Sequence, residues 1–263
     1  MAHLSLRDHS LGSIDGVLFD KDGTLSHSEP HLIEIADARV AETMRVFATR
    51  GASAAIQTQL ESLLKRAMGR RDSGLIPDGT LAVASRQHNL LSTATIFCLF
   101  DLSWPESLVL AEDIFNAVDA THKQVSSDVV PSARTPLPYS RELLKELHSS
   151  GVVCAVISND THNGIEQFLK NHGLSEFISG IWSADDNPCK PDPGAVLGLC
   201  KALNLSPSRC ALIGDADSDL LMARRAGIAY ALGYVAGWQR TPELTSHHYL
   251  IQHWQELKVE GEN

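Results

Sequence analysis

Unbroken apolar runs alternate with helical stripes along this chain. Residues 14–20, IDGVLFD, are apolar and end in acids. Residues 152–160, VVCAVISND, have the same form and finish in Ser158, Asn159 and Asp160; residues 210–219, CALIGDADSD, do so again with a bend at Gly214. Runs of this length suit strands covered on both faces, as in parallel sheets. Between them the spacing predicts helices. In PYSRELLKELHSSG, Leu143, Leu144 and Leu147 share a face and Gly151 is the stop. Val196, Leu199, Cys200 and Leu203 form a second stripe, and Leu220, Leu221 and Ala223 a third that closes at Gly227. Strand, helix, strand repeated in this way predicts an α/β fold built on a doubly wound parallel sheet.

From residue 28 to residue 132 that rhythm breaks. LIEIADARVAETMRVFATRG and IQTQLESLLKRAMG are amphipathic, the second with Ile56, Leu60, Leu63, Leu64 and Ala67 along one stripe. LAVASRQHNLLSTATIFCLF and PESLVLAEDIFNAVDATHKQV continue in helical style, and no strand pattern intervenes. The expected organisation is therefore a core of residues 1–27 and 133–263, with a helical insertion over 28–132 followed by the Pro-rich connector VVPSARTPLP. The tail HHYLIQHWQEL is expected to supply a final strand and helix.

Charge and composition narrow the function. The chain has 263 residues, 32 acidic and 22 basic, for a net charge of −10, so no basic stripe marks it as a nucleic-acid binder. No secretory leader is visible and no apolar stretch approaches a membrane span. Five cysteines without a C-x-x-C pair point away from a disulfide framework and towards the cytoplasm. Twelve histidines include no H-E-x-x-H spacing, which argues against zinc.

The candidate chemistry lies at the carboxyl ends of the three predicted strands, the edge of an open α/β sheet where ligands bind. Asp20 and Asp22 sit two apart on an extended chain, so their carboxylates are expected on one side, crowded together. Asp20, Asp22, Asp215 and Asp219 gathered in one place require a cation, and oxygen-only ligands favour a hard ion such as Mg2+. A carboxylate can then attack phosphorus. Asp20 suits the attack, Asp22 the proton transfer, and Ser158 and Lys190 the stabilisation of developing charge. Asp217 is expected to be solvated, as are Arg70, Arg71, His247 and His248; Cys189 is expected to be partly exposed.

In this order DKDGTL, ISND, KPDP and GDADSD resemble motifs I to IV of the haloacid dehalogenase superfamily. The resemblance implies that Asp20 is the nucleophile and Asp22 the general acid/base. It also implies that Ser158 and Lys190 hold the phosphoryl group of a small phosphorylated substrate, with Asn159 beside them. Asp215 would coordinate Mg2+ with Asp20 and the main-chain carbonyl of Asp22, and Asp219 would orient the metal shell or Lys190. The helical insertion resembles the C1 type of cap, which implies a lid over the core. The nearest texture is that of phosphoglycolate phosphatase-like members, whose motif I continues D-G-T-L-x-D-S-x-P. Here it reads DGTLSHSEP, with His27 in place of the Asp. An acid at position 22 disfavours dehalogenation. The rivals to a phosphatase are a phosphomutase of the same fold, which would return the phosphoryl group to a sugar, and a catalytically silent binding protein. The intact acid, hydroxyl and lysine set speaks against the latter.

Overall fold

The computed structural model describes residues 2–126 and 134–261, so the beginning of the Pro-rich connector lies outside the described residues. The chain forms two compact units, Met1–Ser28 with Arg134–Asn263, and Glu29–Ala133.

The first unit is built on a six-stranded parallel sheet. Its strands stand side by side in the order Tyr249–Ile251, Tyr230–Tyr234, Cys210–Gly214, Gly16–Phe19, Val153–Ile157 and Ile178–Trp182. The three strands predicted from apolar runs are adjacent at its centre, where both faces are covered. Val17 and Phe19 join the core on one face, with Leu143, Leu144, Leu147, Ile165 and Phe168 of two helices; Leu18 points to the other, with Val196, Leu199, Leu220 and Ala223. The alternation follows from the two-residue period of a strand. Leu221, placed by spacing on its helix's apolar face, is 38% exposed instead, because residues 220 and 223 already turn that face to the sheet.

The tail departs from expectation. After Ile251 comes a single 3-10 turn, Trp254–Glu256, and then a strand, Leu257–Gly261, rather than a helix. That strand pairs antiparallel with Ala2–Leu6, which in turn pairs with His9–Ile14. The hairpin between the last two turns through Arg7 and Asp8 with φ of 51° and 64°, the left-handed geometry of a tight two-residue loop. Trp254 anchors this small sheet to the large one by stacking on Tyr234 at 4.2 Å between ring centroids. Helix formation at the tail loses to the burial of Leu257 beside Leu4 and Leu6.

The second unit is helical, as its stripes predict: Glu29–Thr49, Ala54–Ala67, Thr80–Val83, Arg86–Cys98 and Trp104–Ser126. Ser53 and Ser85 cap the second and fourth of these by accepting from backbone N–H groups three residues on. Leu60 and Leu64 are buried as expected, whereas Ile56 is exposed in the first turn. One correction is a minimal antiparallel pair, Arg70–Arg71 with Gly74–Leu75, inside a region expected to lack strands. Arg70 is not a free surface charge: it pairs with Asp37 at 3.1 Å.

Candidate active site

The site is built where the central strands of the α/β unit end. The Gly16–Phe19 strand hands over to a turn at once, and Asp20 donates its N–H to the Ile213 carbonyl of the neighbouring strand. Because the extended geometry stops there, the two-residue period no longer governs Asp22, and the predicted crowding of the two carboxylates is resolved by separate cations. Asp20 accepts from Lys190 Nζ at 2.6 Å. Asp22 accepts from Lys21 Nζ at 2.7 Å and from the Ser28 hydroxyl, both on Oδ1. Lys21 also reaches the Asp160 carboxylate at 3.0 Å, so this buried cation ties the turn after Gly16–Phe19 to the turn after Val153–Ile157.

Lys190 is the centre of the second network. Its ammonium lies 2.9 Å from Asp219 as well as 2.6 Å from Asp20, and it donates to the Ile157 carbonyl at 3.3 Å. The loop that carries it is fixed by Trp182, whose indole N–H donates to the Pro188 carbonyl at 2.9 Å, and by Asp192, which caps the helix Pro193–Ala202. Ser158, directly after Ile157, is buried, and its hydroxyl accepts from the Asp160 N–H at 3.2 Å; Asn159 is half-buried beside it.

Asp20, Asp215 and Asp219 each bring one carboxylate oxygen within 4.8 Å of the others, and all three residues are buried. Asp22 does not join them through its carboxylate, which is turned to Lys21 and Ser28. Asp215 is oriented at both oxygens: Thr24 donates to Oδ1 at 2.9 Å, and the Trp238 indole N–H to Oδ2. Glycine permits the close packing behind it. A Cβ on Gly214 would come 2.9 Å from the Cβ of Asp219, and one on Gly237 would lie 1.6 Å from the carbonyl oxygen of Gly23.

The electrostatics follow from burial and partners. Burial pushes the Asp20 carboxyl up to about 6, against the pull of Lys190, and Asp219 and Asp22 add to the rise. Burial, with the charges of Asp20 and Asp219, carries Asp215 well above the usual carboxylate range, opposed by Trp238 and Thr24. Asp22 goes the other way: burial would raise it, but Lys21, with the Ser28 hydrogen bond, holds it below its ordinary value. Lys190 is raised by its two carboxylates in spite of burial. Three buried carboxylates beside one ammonium leave an excess of negative charge that a divalent cation would relieve.

Several residues of this site have roles that the sequence alone does not assign. Lys21, Thr24 and Ser28 lie within or beside the first motif but make their contacts only once its turn has formed. Trp238 sits in a loop, YVAGWQR, with no recognisable pattern. Asp217, expected to be solvated, anchors the chain by accepting from the backbone N–H groups of Thr245 and Ser246 at 2.6 and 2.7 Å. His248 is exposed as expected, and its Nδ1 also accepts from the Ala231 N–H at 2.9 Å. Cys189 is partly exposed, and all five cysteines are free thiols.

Known proteins resemble this chain in sequence and in fold. The sequence profile of the haloacid dehalogenase-like hydrolases matches residues 14–227. A phosphoglycolate phosphatase of Vibrio cholerae is 27% identical over 227 residues, 86% of each chain. One of Cereibacter sphaeroides is 27% identical over 246 residues, 92% of this chain and 95% of the relative. Among solved structures, a predicted phosphoglycolate phosphatase from Haemophilus somnus 129PT superimposes with a TM-score of 0.62 at 17% identity, over 92% of this chain and 95% of its own, a likeness of fold. Among the described residues no helix is long and apolar enough to cross a membrane.

Proposed function

The chain belongs to the haloacid dehalogenase-like hydrolases, and on that footing we propose that it is a phosphatase that cleaves a small phosphate monoester through a phosphorylated Asp20. The observation that carries this reading is the junction at Lys190, where one ammonium holds the candidate nucleophile Asp20 and the acid Asp219 beside Asp215. The donor set is all oxygen and carries excess negative charge, which fits Mg2+; Asp20, Asp215 and the main chain at Asp22 would hold it, with Asp219 steadying Lys190. Bound there, the ion would neutralise charge on the phosphoryl oxygens and so let an anionic carboxylate approach phosphorus.

Asp20 Oδ forms the new bond to phosphorus as the ester P–O bond breaks, and the proton brought by the monoanionic ester passes through Asp22 to the departing oxygen. Lys190, Ser158 and Asn159 take the equatorial phosphoryl oxygens. Water then attacks the same phosphorus, Asp22 takes up its proton, and the bond to Asp20 breaks to release inorganic phosphate. Lys21 and Ser28 both bind Oδ1 of Asp22, so Oδ2 is the oxygen that carries the proton. The names of the relatives make phosphoglycolate the first substrate to try, although His27 departs from the pattern of that group. A cytoplasmic place of action is part of the same reading and suits five free thiols.

The test is phosphate release from an aryl phosphate with Mg2+, followed by a panel of phosphorylated metabolites led by 2-phosphoglycolate. Release that disappears with a chelator and in Asp20→Asn is the expected result. Undiminished release by Asp20→Asn would refute the mechanism. Isomerisation of a sugar phosphate in the presence of a bisphosphate, without net phosphate release, would make the protein a mutase.

A further inference from the structure

The helical unit contains a cluster that phosphoryl chemistry does not use. His31 and Glu34 stand one turn apart on Glu29–Thr49, and His122 lies near the end of Trp104–Ser126. Each offers a ligand atom, and the three atoms all lie within 4.8 Å of one another. His31 Nδ1 is 3.9 Å from the Glu34 carboxylate, too far for a hydrogen bond between them but close enough to share an ion. The two imidazoles meet edge to face with centroids 5.8 Å apart. Two imidazoles on one tetrahedral ion, each nitrogen at about 2.0–2.1 Å, bring their ring centres to roughly 5 Å, within a small rotation of that arrangement.

The donor set and its burial point to a ligand class. Two imidazoles with one carboxylate suit zinc and its borderline neighbours, in contrast to the all-oxygen carboxylate cluster of the α/β unit. His31 is buried, His122 half-buried and Glu34 exposed, so the cluster has a firm floor and an open side. His122 also lines a groove of about 390 Å3 with Ala38, Ala41, Glu42, Arg45 and Thr121, so its side of the cluster is open. Sequence spacing gives no sign of the cluster, because its histidines come from the first and last helices of the insertion rather than from one helical turn.

We propose that His31, Glu34 and His122 form a transition-metal site of the zinc class that ties the first and last helices of the insertion together. An ion there binds the folded unit and not the unfolded chain, so it raises the melting temperature of the protein.

The experiment is titration of the full-length protein with Co2+ and Zn2+ in saturating Mg2+, which keeps the carboxylate cluster filled with a hard ion. The expected result is one equivalent of Co2+ with the intense visible absorption of a four-coordinate N/O site, displaced by Zn2+ and accompanied by a higher melting temperature. His122→Ala and Glu34→Gln should weaken this binding on the order of tenfold to a hundredfold or more, since even groups outside the coordination sphere contribute that much. Glu34 is exposed, so its variant keeps the test valid if a histidine variant fails to fold. No four-coordinate spectrum in the wild-type protein, or unchanged affinity in folded His122→Ala and Glu34→Gln, would overturn the proposal.

Discussion

Replacing Gly237 with alanine should misplace the whole first motif. Its Cβ would lie 1.6 Å from the Gly23 carbonyl oxygen, 2.4 Å from the carbonyl carbon and 2.8 Å from Cα, all backbone atoms. Ordinary contact begins at 3.4 Å, so the two loops must part by 1.8 Å at their closest point. Gly23 follows Asp22 directly, and Trp238 next to Gly237 steers Asp215, so the strain reaches Asp22 and the carboxylate cluster together. Forcing an extra methyl into a packed site costs about 1–3 kcal/mol. A displacement of about 1 Å at reacting groups can cost on the order of a hundredfold in rate. Calorimetric melting and kcat for phosphate release should therefore both fall. Gly227→Ala is the control: its φ of +77° makes alanine strained, but nothing lies within 4 Å of the new Cβ. That variant should lose about 1–2 kcal/mol of stability and no kcat. A Gly237→Ala enzyme with wild-type kcat and melting temperature would refute the claim that the contact between these loops sets the site.

Three further outcomes follow from the same contacts. Trp238→Phe removes the indole donor on Asp215 Oδ2 and should weaken Mg2+ activation on the order of tenfold, seen as a higher Mg2+ requirement in the rate; an unchanged requirement would count against this role. Asp20→Asn should be more stable than wild type in chelator at pH 7.5. Burial raises Asp20 from 3.8 to about 6, so its contribution is fully present below 3.8 and is lost as pH rises through 6, a difference of about 3 kcal/mol. The advantage should vanish near pH 4, and equal melting at both pH values would contradict the burial argument. By the same linkage, the melting increment given by Mg2+ should grow from pH 5 to pH 7.5; a flat increment would mean that the ion does not bind these carboxylates.

What the sequence disclosed and what it withheld divide along physical lines. The central strands were legible because both of their faces are buried, which demands unbroken apolar runs such as VLF and VCAVI. Asp20 and Asp215 were legible because turn chemistry after such strands leaves few reasons for a charge, and Lys190 and Asp219 because they stand in the KPDP and GDADSD frames. The outer strands Ile178–Trp182 and Tyr230–Tyr234 were not, since Ser179, Gly180 and Gly233 interrupt their apolar pattern. The terminal sheet was hidden for another reason: its strands meet across nearly the full length of the chain, Leu4 opposite Val259, and no local signal announces that pairing. Lys21 and Trp238 belong to this second kind, since each acquires its role only from the partners that tertiary structure brings to it.

The central claim, that Asp20 captures phosphorus, is tested most directly by trapping the captured group. Enzyme mixed with a labelled aryl phosphate and Mg2+, quenched in acid within a turnover and digested, should carry acid-stable, hydroxylamine-labile label on the peptide containing Asp20, and Asp20→Asn should carry none. Steady turnover with no label on that peptide at any quench time, or label persisting in Asp20→Asn, would contradict it.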